Sequence, residues 1–396
     1  MNGLSVVVVG GAVGGASTAL TLARLGASVT VVERVDEPTV VGAGILLQPN
    51  GLAVLAALSL VEDVNATGRR MSGGVVRSEN GRVISSMAVP ERDPAFGHVL
   101  AVRRSRLMDV LVSSVVAHPR IAVRFGAEVT AARPDGTVIF RTDGGLDTIQ
   151  ADLVVGADGV RSTVRGSGDF GSRVRSTGVT YVRGLVDGTD AGLEGEYWTS
   201  LGLFGGAPLG DGSTYFYAAA DTPAIAAAVA DEDLEAFRRL WGTTLPMAGP
   251  VLARVPSFDQ LLVNEVVRVD CERWSDGRLV LVGDAAHAMA PTLGQGANSA
   301  MVDGAVLAIE LSGARSIETL PDGLARYTAR RRPAVRRVQN QADLLAKLSR
   351  LSSRSARRTR DAVLRLTGRL PGVAERLWKT AQQEDPRRLY NALIGR

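Results

Sequence analysis

The chain has 396 residues, 45% of them hydrophobic and 22% charged, an ordinary globular composition that excludes wholesale disorder, a collagen-like repeat and a disulfide-stapled miniature fold. A single cysteine, Cys271, rules out an intrachain disulfide and fits a reducing, cytoplasmic setting; His98, His118 and His287 lack ligand-like spacing, so no metal centre is expected. The net charge of +4 is uneven: residues 330–370 hold 13 Lys+Arg against Asp343 and Asp361, which leaves the rest mildly acidic.

The uncharged stretch from Leu4 to Ala23 is interrupted by four glycines and follows no basic residue, so it reads as strand, turn and helix and not as a signal or transmembrane segment. Residues 6–9 form a β-branched run ending in Gly10-Gly11. A helix over 16–25 is closed by Gly26, and a second strand over 28–32 ends in Glu33-Arg34. This β-α-β opening predicts a parallel sheet with a right-handed crossover. Helices are expected over 48–60 and 105–116, and strands over 121–123, 138–141 and 153–155.

From about residue 172 to 267 the texture turns to strands punctuated by Gly, Asp and Pro, at 180–186, 197–204 and 215–220, with a helix over 231–241. A buried strand over 278–282 then returns the chain to the first unit. Beyond 330 the sequence is Arg-rich and helical, with Pro333 and Pro371-Gly372 as expected breaks. The fold class is α/β: a Rossmann-like dinucleotide-binding domain from 1–72, 99–171 and 267–330, an inserted, mainly antiparallel sheet from 73–98 and 172–266, and a basic helical segment over 331–396.

Three glycine-rich sites carry the chemistry. In Gly10-Gly11-Ala12-Val13-Gly14-Gly15 the turn lets backbone N–H groups meet a pyrophosphate at a helix N-terminus, while Glu33 ends the next strand where it can accept ribose hydroxyls. Ala12 departs from this pattern: a glycine there would allow the closest approach to the pyrophosphate. The second site is Gly156-Ala157-Asp158-Gly159-Val160-Arg161-Ser162, after an apolar run. The third runs from Gly283-Asp284 through His287 and Pro291 to Gly294-Gln295-Gly296-Ala297-Asn298-Ser299-Ala300, an acid after a buried strand followed by a helix start with free N–H groups.

Together with Gly42-Ala43-Gly44-Ile45, Gln48-Pro49-Asn50 and Arg104-Ser105-Arg106-Leu107, these motifs closely resemble the FAD-dependent aromatic hydroxylases, single-component flavoprotein monooxygenases of the para-hydroxybenzoate hydroxylase fold. The resemblance spans residues 4 to about 340. It implies that Gly10, Ala12, Gly14, Gly15, Glu33 and Arg34 serve the ADP part of FAD and that Arg104 reaches the pyrophosphate region. It further implies that Gly283 and Asp284 serve the ribityl and phosphate portion, and that Gly294, Gln295, Gly296, Ala297 and Asn298 face the isoalloxazine. Asp158 and Gly159 are associated in that family with both FAD and the nicotinamide cofactor, NADPH or NADH, so no second nucleotide fold is expected.

The implied activity is hydroxylation or epoxidation of an electron-rich aromatic or polycyclic small molecule with O₂, through a flavin C4a-hydroperoxide. Because the cofactor carries the chemistry, no catalytic side chain is named. The middle sheet, which concentrates Tyr197, Trp198, Phe204, Tyr215, Phe216 and Tyr217, would roof the substrate, with Phe204, Tyr215 and Pro291 as pocket candidates. His287, flanked by alanines, reads as structural.

Three rivals are weaker. A flavin-dependent halogenase would need a Trp-x-Trp-x-Ile-Pro segment and a catalytic lysine, whereas the lysines are only Lys347 and Lys379. A reductase or dehydrogenase using the first fingerprint for NAD leaves the other two sites without a purpose. A non-enzymatic flavin-binding or nucleic-acid-binding protein would work through the arginine tail. The basic tail could meet nucleic acid or an anionic membrane surface, but with 43 arginines to two lysines throughout, the enrichment is partly compositional, and a solvated or oligomer-facing tail is expected, with no nucleic acid bound.

Overall fold

Val6 to Val9 are buried on both sides of one strand, and such a strand needs cover on both faces of its sheet. The computed structural model, which describes residues 1, 3–36, 43–89, 93–188 and 192–395, shows that cover. Gly42, singled out above, lies outside the described residues. Strand β1 (Ser5–Val9) runs parallel to β2 (Ser28–Val32) on one side and to Leu153–Gly156 on the other. Ile121–Arg124 extends this six-stranded sheet beyond β2. Leu279–Leu281 and the short antiparallel Ser275–Asp276 close its other edge. Helix α1 (Val13–Arg24) makes the crossover and packs on the long helix Gly296–Leu311, so the last glycine-rich site is brought against the first.

A seven-stranded sheet forms the second layer system, in the order Leu262–Asp270, Arg173–Asp187, Ser213–Ala219, Gly202–Pro208, Gly195–Thr199, Gly73–Ser78 and Val83–Ala88. Its pairs are antiparallel except Gly195–Thr199 with Gly73–Ser78. The single strand expected over 197–204 is a hairpin: Thr199 pairs with Gly202, which takes φ +112°, and Thr199 Oγ1 accepts the Leu201 N–H at the turn. Tyr197 therefore pairs with Phe204 on one face, while Glu196 and Trp198 point to the other.

Several boundaries differ from expectation for local reasons. The helix over 48–60 stops at Ala57, because Ser59 takes φ +64° before a short helix Val61–Asn65. The helix over 231–241 is Leu234–Thr244, started by the Asp233 side chain accepting the Ala236 N–H at 2.8 Å, with a separate helix Pro223–Ala230 before it. Pro333 breaks nothing: Leu320–Ser349 runs through it, and burial of Arg331, Ala334, Val335 and Val338 on one face offsets the roughly 3 kcal/mol an interior proline costs. Pro371-Gly372 does separate Arg354–Gly368 from Val373–Gln382.

The tail is not simply solvated. Leu389 of the last helix, Pro386–Ile394, joins the core of the six-stranded unit, and Tyr390 meets Phe96 at 5.4 Å between ring centroids. Arg330 bridges Glu310 and Glu384, so part of the basic charge is used internally. No helix among the described residues is long and apolar enough to cross a membrane.

Candidate active site

The turn after β1 depends on glycines in both conformation and space. Gly10 takes φ +97°, and a Cβ there would stand 2.6 Å from the Ala157 carbonyl oxygen; one at Gly15 would overlap the Gly10 carbonyl oxygen itself. The close approach leaves the first N–H groups of α1 without intrahelical acceptors at the positive end of the helix dipole, where an anion is favoured. Ala12 is the N-cap of α1, and its methyl is exposed at this opening. Glu33 ends β2 beside the turn and accepts the Gly11 N–H at 2.6 Å, while Arg34 is exposed next to it. Gly14 serves packing: a Cβ there would meet the Ala300 Cβ at 3.0 Å, and one at Gly283, which has φ +60°, would meet the same methyl at 2.9 Å.

Asp158 acts first as a cap, its Oδ2 accepting the N–H groups of Thr163 at 2.7 Å and Val164 at 3.1 Å. Its Oδ1 is buried without a partner among the described residues, an acceptor that a hydroxyl-bearing ligand would satisfy. Burial pushes this carboxyl above the usual range, against the hydrogen bonds it receives. Gly159 follows at φ +75°.

Asp284 is exposed, yet protein surrounds it closely enough that desolvation pushes its carboxyl up, with His287, Arg104 and Arg183 pulling the other way. An exposed acid in such surroundings lines a recess. The glycine cradle, the free N–H groups, Glu33, the orphaned Asp158 oxygen and Asp284 together suit a dinucleotide carrying ribose and ribityl hydroxyls.

Beneath Asp284 lies a fully buried ion network. Asp303 accepts from His287 Nε2 at 2.5 Å, from the Gly283 N–H at 2.8 Å and from Arg331 Nε at 2.7 Å. Burial alone would raise the Asp303 carboxyl, but His287 and Arg331 hold it below the ordinary range. His287 also stacks on Trp274 at 5.0 Å, so it supports the loop from below and does not face the recess. Asp284→Ala should therefore weaken FAD binding by about 1.5–3 kcal/mol, the worth of a charge-assisted hydrogen bond, with little loss of apo-protein stability. His287→Ala should lower the melting temperature with a smaller loss of affinity. FAD titration and thermal melts of both variants check this, and equal affinity losses would contradict it.

The loop after Pro291 keeps only its backbone free. Asn298 Oδ1 accepts the Gln48 N–H at 3.0 Å, and its Nδ2 donates to the carbonyls of Leu46 and Gly294. Gln295 donates to Gln48 Oε1 at 2.6 Å and accepts from Asn50 at 3.0 Å. These two side chains, expected to face a flavin ring, are instead turned into the protein. Gly294 takes φ +61°, and a Cβ at Gly296 would meet nothing within 4 Å, so the half-buried Gly296 and Ala297 present N–H groups at an open helix start.

The seven-stranded sheet supplies the opposite wall. Glu196, Gly205, Tyr217 and Arg183 stand in one row across four strands, hence on one face. Gly205 makes room for the Tyr217 ring: a Cβ there would stand 2.7 Å from Tyr217 Cζ. The Tyr217 hydroxyl donates to Glu196 Oε1 at 3.0 Å, and Trp198 Nε1 donates to Oε2 at 3.2 Å. With neutral donors only, burial pushes the Glu196 carboxyl up to about 7. Tyr215 shares this face, packing on Gly44 and, with Tyr217, Leu46, Leu185 and Trp378, forming an apolar cluster.

Phe204 is a correction. It packs on Phe216 at 6.0 Å and Trp241 at 5.1 Å on the far face, under the helices, because the hairpin at Ser200-Leu201 reverses the chain before it. Arg183 and Glu196 were missed from sequence, although Arg183 is the one charge in the run 180–186 and Glu196 directly precedes Tyr197-Trp198. Pro291 starts a half-buried turn, Pro291–Leu293. Among the described residues, no group of His, Cys, Asp or Glu is placed to hold a metal.

A family model described as an FAD binding domain matches residues 3–342. The chain is 35% identical over 335 residues to the aurachin C monooxygenase/isomerase of Stigmatella aurantiaca, covering 83% of this chain and 85% of that protein. It is 31% identical to the 2-heptyl-3-hydroxy-4(1H)-quinolone synthase of Mycobacteroides abscessus, over 84% of this chain and 87% of that one. Among solved structures, the tetrameric form of 2-methyl-3-hydroxypyridine-5-carboxylic acid oxygenase superposes with a TM-score of 0.78 at 27% identity, covering 97% of both chains.

Proposed function

The chain belongs to the FAD binding domain family, as an FAD-dependent monooxygenase of the aromatic hydroxylase fold, and we propose that its substrate is a 4(1H)-quinolone-type heteroaromatic with an alkyl tail. The observation that carries this reading is the Glu196–Tyr217 pair, set in one row with Arg183 on the sheet face that meets Asp284 and Arg104. A quinolone offers a ring N–H or hydroxyl to such a pair, and an apolar tail to Leu46, Leu185 and Trp378.

When bound, FAD supplies the redox chemistry: NAD(P)H gives two electrons, one atom of O₂ enters a substrate C–H bond as hydroxyl, and the other leaves as water. Gly10, Gly15 and the start of α1 take the pyrophosphate, Glu33 the ribose, Asp284 the ribityl hydroxyls, and the Gly296 and Ala297 N–H groups the flavin ring edge. The substrate proton passes through the Tyr217 hydroxyl to Glu196, which makes the ring electron-rich, and Arg183 steadies the resulting anion. A chain with a single cysteine, Cys271, fits a reducing, cytoplasmic setting.

The test is NAD(P)H oxidation by the FAD-loaded enzyme with 2-heptyl-4(1H)-quinolone, 2-heptyl-3-hydroxy-4(1H)-quinolone, urate and para-hydroxybenzoate, with products identified by mass spectrometry. Quinolones should stimulate oxidation and gain one oxygen atom. Turnover of urate or the benzoate alone would overturn the substrate class.

A further inference from the structure

Two helices beyond residue 342 carry an outer face that no other described residue covers. Val363 and Leu366 of Arg354–Gly368 lie one turn apart and Leu370 continues their line; they are 51%, 65% and 52% exposed, and Leu377 on Val373–Gln382 is 46% exposed. At helical spacing Arg358 and Arg369 flank Leu366 on one side. Arg376 directly precedes Leu377, and these three arginines are exposed and form no ion pair with any other described residue.

The inner faces, by contrast, are occupied. Arg360 lies 5.1 Å over the Trp198 ring and donates to the Leu348 carbonyl, while Trp378 packs into the cluster of Leu46, Leu185 and Tyr217. Exposed leucines scattered singly need no explanation, but an aligned stripe edged by unpaired arginines is the pattern of a helix that lies in a lipid interface.

We propose that this face docks on an anionic bilayer surface, with the leucines at the acyl boundary and the arginines at phosphate headgroups. Charge selects this occupant over a second copy of the chain, since an isologous contact would bring together two surfaces that are both strongly basic. The helix that carries Leu377 outward carries Trp378 inward, against Leu46, Leu185 and Tyr217. The docking stands on the exposed face alone and holds whatever the substrate proves to be.

Co-sedimentation of the FAD-loaded protein with vesicles of phosphatidylcholine, with and without phosphatidylglycerol, tests the proposal. Binding should require the anionic lipid and weaken with salt, and L366E/L370E should lower the partition coefficient roughly tenfold or more. In that variant the flavin spectrum and melting temperature should be unchanged. A second variant, R358Q/R369Q, should bind less but retain part of its affinity through the leucines. No binding to anionic vesicles would overturn the proposal, as would L366E/L370E binding like wild type. Sedimentation velocity that shows a dimer dispersed by L366E/L370E would assign the face to a second copy instead.

Discussion

Gly15→Ala should give a chain that elutes from gel filtration without flavin and melts well below the wild type. The added methyl would overlap the Gly10 carbonyl oxygen, a backbone atom just past β1 whose residue donates its N–H to the Val32 carbonyl, while Gly15 is fixed in the first turn of α1. Overpacking usually costs about 1–3 kcal/mol when side chains can shift, and more is expected where only backbone can move. A loss of that size is a large part of a typical domain's stability of about 5–15 kcal/mol. The same displacement tilts the start of α1 away from the pyrophosphate position, so affinity falls together with stability. Two controls isolate the cause. A Cβ at Gly11 reaches only the Glu33 side chain at 3.4 Å, so Gly11→Ala should retain the fold. Ala12→Gly, which removes an exposed methyl at the opening, should leave FAD affinity intact or improve it. Flavin absorbance after gel filtration and thermal melts measure all three. Gly15→Ala with wild-type flavin content would mean that the strand and helix do not meet at this glycine.

The β1-α1-β2 opening is legible because everything that specifies it is local: a valine run, a glycine turn and an acid at the next strand end. The same holds for Asp158 and Asp284, each announced by an apolar strand before it. The sheet face is harder, because a side chain's face depends on where the chain reverses. The turn at Ser200-Leu201 carries no glycine or proline at its centre, and missing it put Phe204 on the wrong side. Pro333 misleads for the opposite reason, since a local rule yields to the buried faces of Arg331, Val335 and Val338. The turn of Gln295 and Asn298 into the protein depends on Gln48, Asn50 and Gln382, which are distant in sequence. No periodicity records such partners.

Glu196→Gln should lower substrate hydroxylation about 10²-fold or more, the usual worth of a positioned general base, with FAD content unchanged. The amide keeps the size of the carboxylate; its one oxygen can still accept from Trp198 while its NH₂ donates to the Tyr217 hydroxyl, so the row across the sheet survives while the proton acceptor is lost. In the wild type the rate should rise with pH through about 7, as the Glu196 carboxyl ionises, and that limb should vanish in the variant. Stability should move the opposite way. A carboxyl whose folded pKa is raised from an ordinary glutamate's 4.5 to about 7 stabilises the fold below its unfolded pKa and loses that contribution as pH rises through about 7. Glu196→Gln removes this burden, so at about pH 8 the variant should melt higher than the wild type, with the gap closing towards about pH 5. A residue that only packs the sheet would lose stability on substitution and leave the pH–rate profile in place. A slower, more stable enzyme without the limb near neutrality is the signature of a buried acid retained for proton transfer. Wild-type turnover in Glu196→Gln would remove Glu196 from the reaction and leave Tyr217 and Arg183 as substrate contacts only.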